Sequence, residues 1–220
     1  MRGAGRICAL GLFWALLGGC ASTAGDQPEL YIVRPQDTVY SIAWRNGLDY
    51  RDLARWNDIG PDFRIRVGQA LRLTPTPAAP APSRPQTPQP RPAPQSMPGS
   101  AGPAWEWPTD QAAPRAVQGG GIILSGRLGQ DVRAAAAGRV VYAGTGIRGY
   151  GNLIIIKHGE NWLSAYAHNR ESLVHEGQEI SMGQVIGHMG EGAPGKPALY
   201  FEIRRNGKPV DPLKYLPNLK

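Results

Sequence analysis

The sequence predicts a two-domain chain whose larger, C-terminal domain is built mainly from β-strands. Three observations support this prediction: five short runs rich in β-branched and aromatic residues after residue 104, a smaller strand–helix–helix–strand pattern before residue 74, and a proline-rich stretch between them. β-Branched and aromatic side chains favour strands, and glycine-containing turns separate the five runs. No long amphipathic helical pattern follows residue 104, so we expect packed sheets there with few helical turns.

The first segment, residues 30–73, is predicted to form a small βααβ module. Its first strand is the apolar run LYIV, and its last strand lies in GQALRL. Asp37 or Thr38 has the side chain needed to cap the first helix, Gly47 ends that helix, and Asp49 caps the second. Helical spacing predicts inward-facing side chains at Val39, Ile42, Ala43, Tyr50, Leu53 and Trp56.

The second segment, residues 74–103, is predicted to be a disordered linker. It contains 11 of the 21 prolines and no acidic residue. Such a composition forms no core and favours an extended, polyproline-like chain. At about 3.1 Å per residue, the fully extended linker would reach on the order of 90 Å.

The third segment, residues 104–220, is predicted to be the β domain. Asn206-Gly207 is a strong signal for a tight turn. The five strand-like runs are GRVVYAG, NLIIIKH, WLSAYAH, GQVIGHMG and ALYFEIRR.

The N-terminus is predicted to be an export signal, residues 1–19, followed by an anchor and spacer, residues 20–29. A basic start precedes an apolar run of 13 residues, which is too short to span a bilayer comfortably. The end of the run, LLGGC, resembles the bacterial lipobox, which implies acylation of Cys20. Ala21 resembles the default for sorting to the outer membrane, with the protein facing the periplasm. The alternative is a plain secretory signal with an incidental cysteine.

Charge and cysteine content argue against a nucleic-acid-binding protein and against a disulfide-stabilised domain. The formal net charge is +7, but there is no basic run and no aromatic stacking platform beside a basic groove, so no nucleic acid partner is expected. A modest positive excess suits weak attraction to anionic cell-wall polymers or lipid. The two cysteines, Cys8 and Cys20, both lie near the N-terminus, so no disulfide joins the later segments.

Residues 30–73 resemble the LysM module. The resemblance rests on DTVYSIA, WNDI and VGQAL, which occur in the order of that family. It implies binding to peptidoglycan or a related N-acetylglucosamine-containing glycan, through a groove formed by Asp37, Thr38, Val39, Asn57 and Ile59. Each has a structural alternative: helix capping for Asp37 and Thr38, helix termination for Asn57, and core packing for Val39 and Ile59.

The third segment resembles the lysostaphin-like, or LytM-type, metallopeptidases, whose fold is a β-sheet sandwich. The matching stretches run from GQDVRAAAAGRVVYAG through LSAYAHN and over LYFEIRRNGKPVDPLKYLP. RGYGNLIIIKH with LSAYAHN resembles in particular the murein hydrolase activators of the NlpD type.

That resemblance also implies which residues occupy the positions of the zinc site. Gly119, Ile123 and Tyr200 fall at the three ligand positions, while Ala198 and His168 fall at the two assisting histidines. A catalytic zinc needs about three protein ligands and an open position for water. The sequence therefore predicts a pseudoenzyme with no metal and no cofactor.

The resemblance implies a regulatory function. A LytM domain without catalysis would bind and activate a periplasmic N-acetylmuramoyl-L-alanine amidase that splits the septal cell wall during daughter-cell separation. Two alternatives stay open: a zinc-dependent murein endopeptidase, and a passive tether between outer membrane and peptidoglycan. The residues expected to line the partner-binding groove are Ile123, Arg148, Tyr150, Tyr166, His168, Tyr200 and Glu202. The structural alternatives are core packing for Ile123 and Tyr166, bracing of the Gly149–Gly151 turn for Tyr150, and a solvated surface position for Arg148.

Overall fold

The computed structural model describes residues 29–75, 102–110, 113–116 and 120–218. The predicted signal, Cys20, Gly119 and most of the predicted linker lie outside these residues. No helix in the described ranges is both long enough and apolar enough to cross a membrane.

The N-terminal module has the predicted βααβ order. Its elements are β1 (Leu30–Ile32), α1 (Val39–Arg45), α2 (Tyr50–Trp56) and β2 (Ala70–Arg72), and β1 pairs antiparallel with β2. Thr38 caps α1, because its hydroxyl accepts a hydrogen bond from the backbone N–H of Ser41 at 3.0 Å. Asp49 caps α2 by accepting from the backbone N–H of Arg51 at 2.8 Å.

The C-terminal domain is mainly β, as predicted. Its described strands form one connected 11-stranded sheet that runs in the order β3-β4-β12-β8-β7-β6-β9, with the other strands attached to β8, β10 and β12. A short 3₁₀-helix, Pro212–Lys214, ends the fold. The strands are β3 (Ala113–Ala116), β4 (Ile122–Ser125), β5 (Asp131–Arg133), β6 (Gly138–Gly144), β7 (Asn152–His158), β8 (Trp162–Ser172), β9 (Glu179–Ile180), β10 (Val185–Met189), β11 (Glu191–Ala193), β12 (Lys196–Arg205) and β13 (Lys208–Val210).

Two long strands connect what the sequence suggested would be separate packed sheets. β8 pairs with β7 and β12 over most of its length and then with β10 near its end. β12 likewise pairs with β4, β8, β11 and β13 along its ten residues. Strands of this length can change partners along their course, so the ladder continues from one layer into the next.

The central sheet buries both of its faces. Residues that alternate along a strand point to opposite faces, and the core divides accordingly. One face carries Ile154, Ile156, Phe201 and Ile203 in a cluster internal to the β domain. The other face carries Leu153, Ile155, Leu163 and Ala165, which pack in one cluster with the apolar side chains of the N-terminal module.

The module therefore packs directly on the sheet, an arrangement that the sequence did not predict. Val39, Ile42, Trp44 and Leu53 of the module are each at most 2% exposed within the shared cluster. Polar contacts fix the orientation of the N-terminal module on the sheet. The Tyr50 hydroxyl donates to the Glu160 carbonyl at 2.8 Å, and Arg51 donates to the side chains of Asn161 at 2.6 Å and Asn206 at 2.9 Å.

Candidate functional site

The structure describes two of the three positions that the family resemblance assigns to zinc ligands, and these two lie opposite each other in the sheet. Ile123 in β4 and Tyr200 in β12 are Cα partners in the antiparallel ladder, and both side chains are half-buried. Residues paired in this way project from the same face, with Cβ atoms about 5 Å apart. The structure thus brings together two of the positions that the family resemblance assigns to zinc ligands.

Aromatic rings converge on Tyr200. The ring of Tyr150 lies 5.6 Å from it at 78°, and the ring of His168 lies 6.4 Å from it at 74°. Such edge-on arrangements are favoured for aromatic pairs. A Cβ atom on Gly121 would lie 2.6 Å from the Tyr200 ring, so a larger residue there would displace this ring. We call Ile123, Tyr150, His168 and Tyr200 the Tyr200 cluster.

A buried ion pair between Glu202 and Arg204 holds the Tyr200 hydroxyl in place. The Tyr200 hydroxyl donates to Oε2 of Glu202 at 2.5 Å, and Nε of Arg204 donates to Oε1 of the same carboxylate at 2.6 Å. Glu202 is 1% exposed and Arg204 is 6% exposed. Burial, together with the adjacent Glu202 carboxylate, raises the pKa of Tyr200. Its phenol therefore stays protonated at physiological pH and keeps donating to Glu202.

His168 adopts a backbone conformation that is uncommon for a residue with a side chain. Its φ is +64°, in the left-handed region. The conformation is held on both sides, because the His168 N–H donates to the Tyr150 carbonyl at 2.9 Å and its carbonyl accepts from the Gly190 N–H at 2.8 Å. Strained residues of this kind are concentrated at functional sites. Burial lowers the pKa of the imidazole, so the ring is neutral at pH 7.

Tyr166 does not lie in the cluster. It is fully buried on the opposite face, where its ring packs 5.3 Å from Phe201 and its hydroxyl accepts from the Ala135 N–H at 2.8 Å. Residues 166 and 168 would share a face in a regular strand. A bulge between β7 and β8, with the left-handed His168, breaks that alternation and turns only His168 toward Tyr200.

The other two predicted groove residues differ in exposure. Glu202 is buried beneath Tyr200 and positions its hydroxyl, so it presents no surface to a partner. Arg148 is exposed on the loop between β6 and β7, two residues before Tyr150. Of these residues, Arg148 is exposed, whereas Tyr166 and Glu202 are buried.

The described residues of the site do not fit a zinc ion. The side chains of Ile123 and Ala198 contain only carbon atoms, which cannot bind a metal. The hydroxyl of Tyr200 is hydrogen-bonded to Glu202. His168 remains as a single imidazole where about three ligands are needed. Within the described ranges, no group of three or more His, Cys, Asp or Glu side chains has the arrangement needed to hold a metal ion.

Comparison with known proteins finds two family matches along the chain. Residues 31–74 match the LysM domain, and residues 118–212 match Peptidase family M23. The lipoprotein NlpD/LppB homolog of Pseudomonas aeruginosa is 44% identical over 227 residues, which cover 85% of this chain and 76% of that protein. The chain belongs to the NlpD/LppB family of lipoproteins.

Two further relatives agree with this assignment. The murein hydrolase activator NlpD of Salmonella typhimurium is 36% identical over 255 residues, covering 85% of this chain and 68% of its own length. The uncharacterized lipoprotein YgeR of Escherichia coli is 38% identical over 222 residues, covering 92% and 88% respectively. The two domains and the names of the relatives give this NlpD/LppB family member a role at the cell wall.

The LysM residues predicted to contact glycan also have structural roles in this NlpD/LppB protein. The Asp37 carboxylate accepts from the Tyr31 hydroxyl at 2.6 Å, and it forms an ion pair with Arg45. Val39 is fully buried, and Ile59 is half-buried against the core that the module shares with the sheet. The Asn57 side chain joins α2 to β2 through hydrogen bonds to the N–H and carbonyl of Arg72.

Thr38 lies at the domain boundary. Besides capping α1, its hydroxyl is 3.3 Å from the carbonyl oxygen of Val141 in the β domain. It lines a cleft between the two domains, whereas Asn57 and Ile59 line a different cleft within the LysM domain. Thr38 thus lies at a different cleft from Asn57 and Ile59, and Val39 is buried.

Sequence reasoning missed the role of Arg204. Its guanidinium lies 3.5 Å from the centre of the Trp44 ring and donates to the Trp44 carbonyl at 2.9 Å, so it joins the LysM domain to the ion pair beneath Tyr200. The signal was present in the sequence. Tyr200, Glu202 and Arg204 are spaced by two, which places all three side chains on one face of a strand.

Proposed function

We propose that this chain is a non-catalytic outer-membrane lipoprotein, anchored through Cys20, that binds peptidoglycan and activates a periplasmic N-acetylmuramoyl-L-alanine amidase during septal cell-wall splitting. The Tyr200 cluster carries the proposal. A fold of the M23 type presents apolar and aromatic side chains where a hydrolase would need metal ligands. The names of its relatives, which include murein hydrolase activators, support a regulatory rather than hydrolytic role.

In this proposal the Tyr200 cluster and Arg148 form the surface that the amidase contacts. Tyrosine and arginine are common anchors of protein interfaces, and the left-handed His168 holds its ring at the edge of the cluster. Activation requires that this surface bind the active conformation of the amidase more tightly than the inactive one. Equal binding to both conformations would change nothing, however tight it is.

The proposal is tested by measuring how much each variant stimulates the amidase. Arg148→Ala and Tyr200→Ala are each expected to raise the concentration needed for half-maximal stimulation by roughly tenfold or more, because truncated interface anchors often cost about 2 kcal/mol. Lys214→Ala is the control, since Lys214 is exposed on the 3₁₀-helix. The residues that follow it, Tyr215 and Leu216, pack on the opposite face of the sheet.

Circular dichroism must show that the variants are folded before the stimulation assay is interpreted. If folded Arg148→Ala and Tyr200→Ala both stimulate at wild-type concentrations, the Tyr200 cluster is not the activating surface. If the wild-type chain stimulates no periplasmic amidase, the activator function itself is wrong.

The proposed anchor has a separate test. Cys20→Ala is expected to abolish acylation and release the chain from the outer-membrane fraction, because the acyl chains would supply the stable attachment. A Cys20→Ala chain that still fractionates with the outer membrane would show that the attachment lies elsewhere.

A further inference from the structure

A cleft of about 690 Å³ lies between the LysM domain and the β domain. Its volume is in the range of pockets that hold small ligands. The LysM wall includes Tyr40, Phe63 and Thr38, and the wall from the β domain includes Arg139 and Lys157. Neither domain forms this cleft alone.

The LysM wall presents an aromatic surface. The rings of Tyr40, Tyr50 and Phe63 form a triangle with centroids 4.6 to 5.5 Å apart. Phe63 has a φ of +52°, a genuine outlier for a bulky residue, and it remains half-buried at the edge of the cleft. Strained backbone is found at ligand clamps. Aromatic faces of this kind pack against the C–H surface of a sugar ring.

The opposite wall presents Lys157, a half-buried lysine whose ammonium is attracted by the Glu160 carboxylate but is not within ion-pair distance of it. Lys157 forms no ion pair within the described ranges, and its Nζ atom lies 6.0 Å from the centre of the Tyr50 ring. The side chain of Lys157 is half-buried at this wall, and burial lowers its pKa. The neighbouring cation Arg139 is already paired with Glu179 at 2.5 Å. Arg64 also lines the cleft and is paired with Asp62 at 3.3 Å, so Lys157 is the lining cation without an ion pair among the described residues.

We propose that this cleft is a composite site for a peptide-bearing cell-wall glycan. The sugar packs on the rings of Tyr40 and Phe63, and a carboxylate of the peptide pairs with Lys157. The inference rests on the proposed peptidoglycan binding and extends it, because a residue of the M23-type domain then contributes to glycan recognition. The ligand also holds the two domains together, since it contacts both walls.

The test is calorimetric titration of the full chain in detergent with two soluble probes. One is an N-acetylglucosaminyl-N-acetylmuramyl tetrapeptide, and the other is the same disaccharide without peptide. Lys157→Met keeps the apolar stem and removes the charge, and we expect it to weaken binding of the peptide-bearing probe by fivefold or more. The disaccharide is expected to bind Lys157→Met and wild type equally.

Two further variants complete the experiment. Lys157→Arg restores the charge and is expected to recover most of the lost affinity, whereas Lys214→Met removes an exposed lysine elsewhere and is expected to have no effect. Wild-type affinity of Lys157→Met for the peptide-bearing probe would overturn the composite site while leaving peptidoglycan binding intact. Failure of wild type to bind either probe, or intact sacculi, would overturn peptidoglycan binding as well.

Discussion

At the scale of single residues, Glu202 is the most consequential buried charge of the site. Its carboxylate accepts from Tyr200 and Arg204, and the two side chains of the ion pair are 2% and 7% exposed. Removing one partner of a buried pair costs about 3–5 kcal/mol, because the other charge is left uncompensated. Arg204→Met should therefore lower the free energy of unfolding by about 3 kcal/mol, as measured by urea denaturation.

The adjacent Arg205 provides the control. It is exposed and lies 5.1 Å from the Trp162 ring, so Arg205→Met should cost less than about 1 kcal/mol. In the double variant Glu202→Gln/Arg204→Met no buried charge remains, and about half of the lost stability should return. A double variant less stable than Arg204→Met would refute this account of the pair.

His158 is a second buried polar residue, placed on the face opposite the Tyr200 cluster. Its Nδ1 lies 2.8 Å from the Ala137 carbonyl oxygen, and its Nε2 lies 2.7 Å from Oγ of Ser164. A carbonyl accepts but cannot donate, so the proton of the neutral ring is on Nδ1 and the Ser164 hydroxyl donates to Nε2. Burial lowers the pKa of His158 to about 4.

This shift predicts a loss of stability in mild acid. The folded pKa of about 4 lies below the ordinary value of 6.5, so below pH 6.5 the unfolded chain binds a proton that the folded chain does not. The contribution of His158 is therefore complete above pH 6.5 and declines as the pH falls toward 4. Between pH 7 and pH 5, wild type should lose about 2 kcal/mol more of its unfolding free energy than His158→Gln. Equal losses in the two proteins would contradict the buried neutral state.

Residue roles were predicted unevenly from the sequence. The family resemblance placed Ile123 and Tyr200 at two positions of one site, and the register of β4 and β12 pairs them. The same resemblance placed Tyr166 in the groove, whereas the left-handed His168 breaks the alternation of the strand and leaves Tyr166 on the opposite face. No feature of the local sequence distinguishes a histidine that adopts positive φ from one that does not.

At the scale of elements, the longer strands were the most predictable. The runs GRVVYAG and NLIIIKH coincide with β6 and β7, and WLSAYAH lies within β8. These strands are buried in the centre of the sheet, so their composition is dominated by β-branched and aromatic side chains. The short strands β3, β4, β5, β9, β11 and β13 were missed, because two to four residues carry too little periodic signal.

The turn between β12 and β13 is an element that also serves the domain interface. Gly207 has a φ of +73°, and a Cβ atom there would lie 2.6 Å from the backbone of Asp49, which caps α2. Gly207→Ala therefore introduces both backbone strain and a collision with the LysM domain. We expect it to increase hydrogen exchange in α1 and α2 and to lower the melting temperature.

Gly195 supplies a matched control for the strain alone. It has a φ of +68° but no atom within 4 Å of its missing Cβ. Gly195→Ala should therefore show the cost of positive φ, on the order of 1 kcal/mol, without a change in the exchange of α1 and α2. If Gly207→Ala and Gly195→Ala behave alike, the turn does not hold the LysM domain in place.

At the scale of the whole molecule, the main finding is that the LysM domain packs on the sheet that carries the Tyr200 cluster. Hydrogen bonds run from Tyr200 through Glu202 and Arg204 to the carbonyl of Trp44. The sequence could not reveal this packing, since apolar residues such as Ile155 and Leu163 are typical of any buried strand. A proline-rich stretch between the domains suggested that they would be separate.

In the proposed function, the chain directs the hydrolysis of peptidoglycan by another enzyme and performs none itself. The most direct measurement is the release of dye from covalently labelled sacculi by the purified chain, by an N-acetylmuramoyl-L-alanine amidase, and by both together, with zinc supplied throughout. We predict no release by the chain alone, basal release by the amidase, and clearly greater release by the mixture. Release by the chain alone that a chelator abolishes would contradict the account.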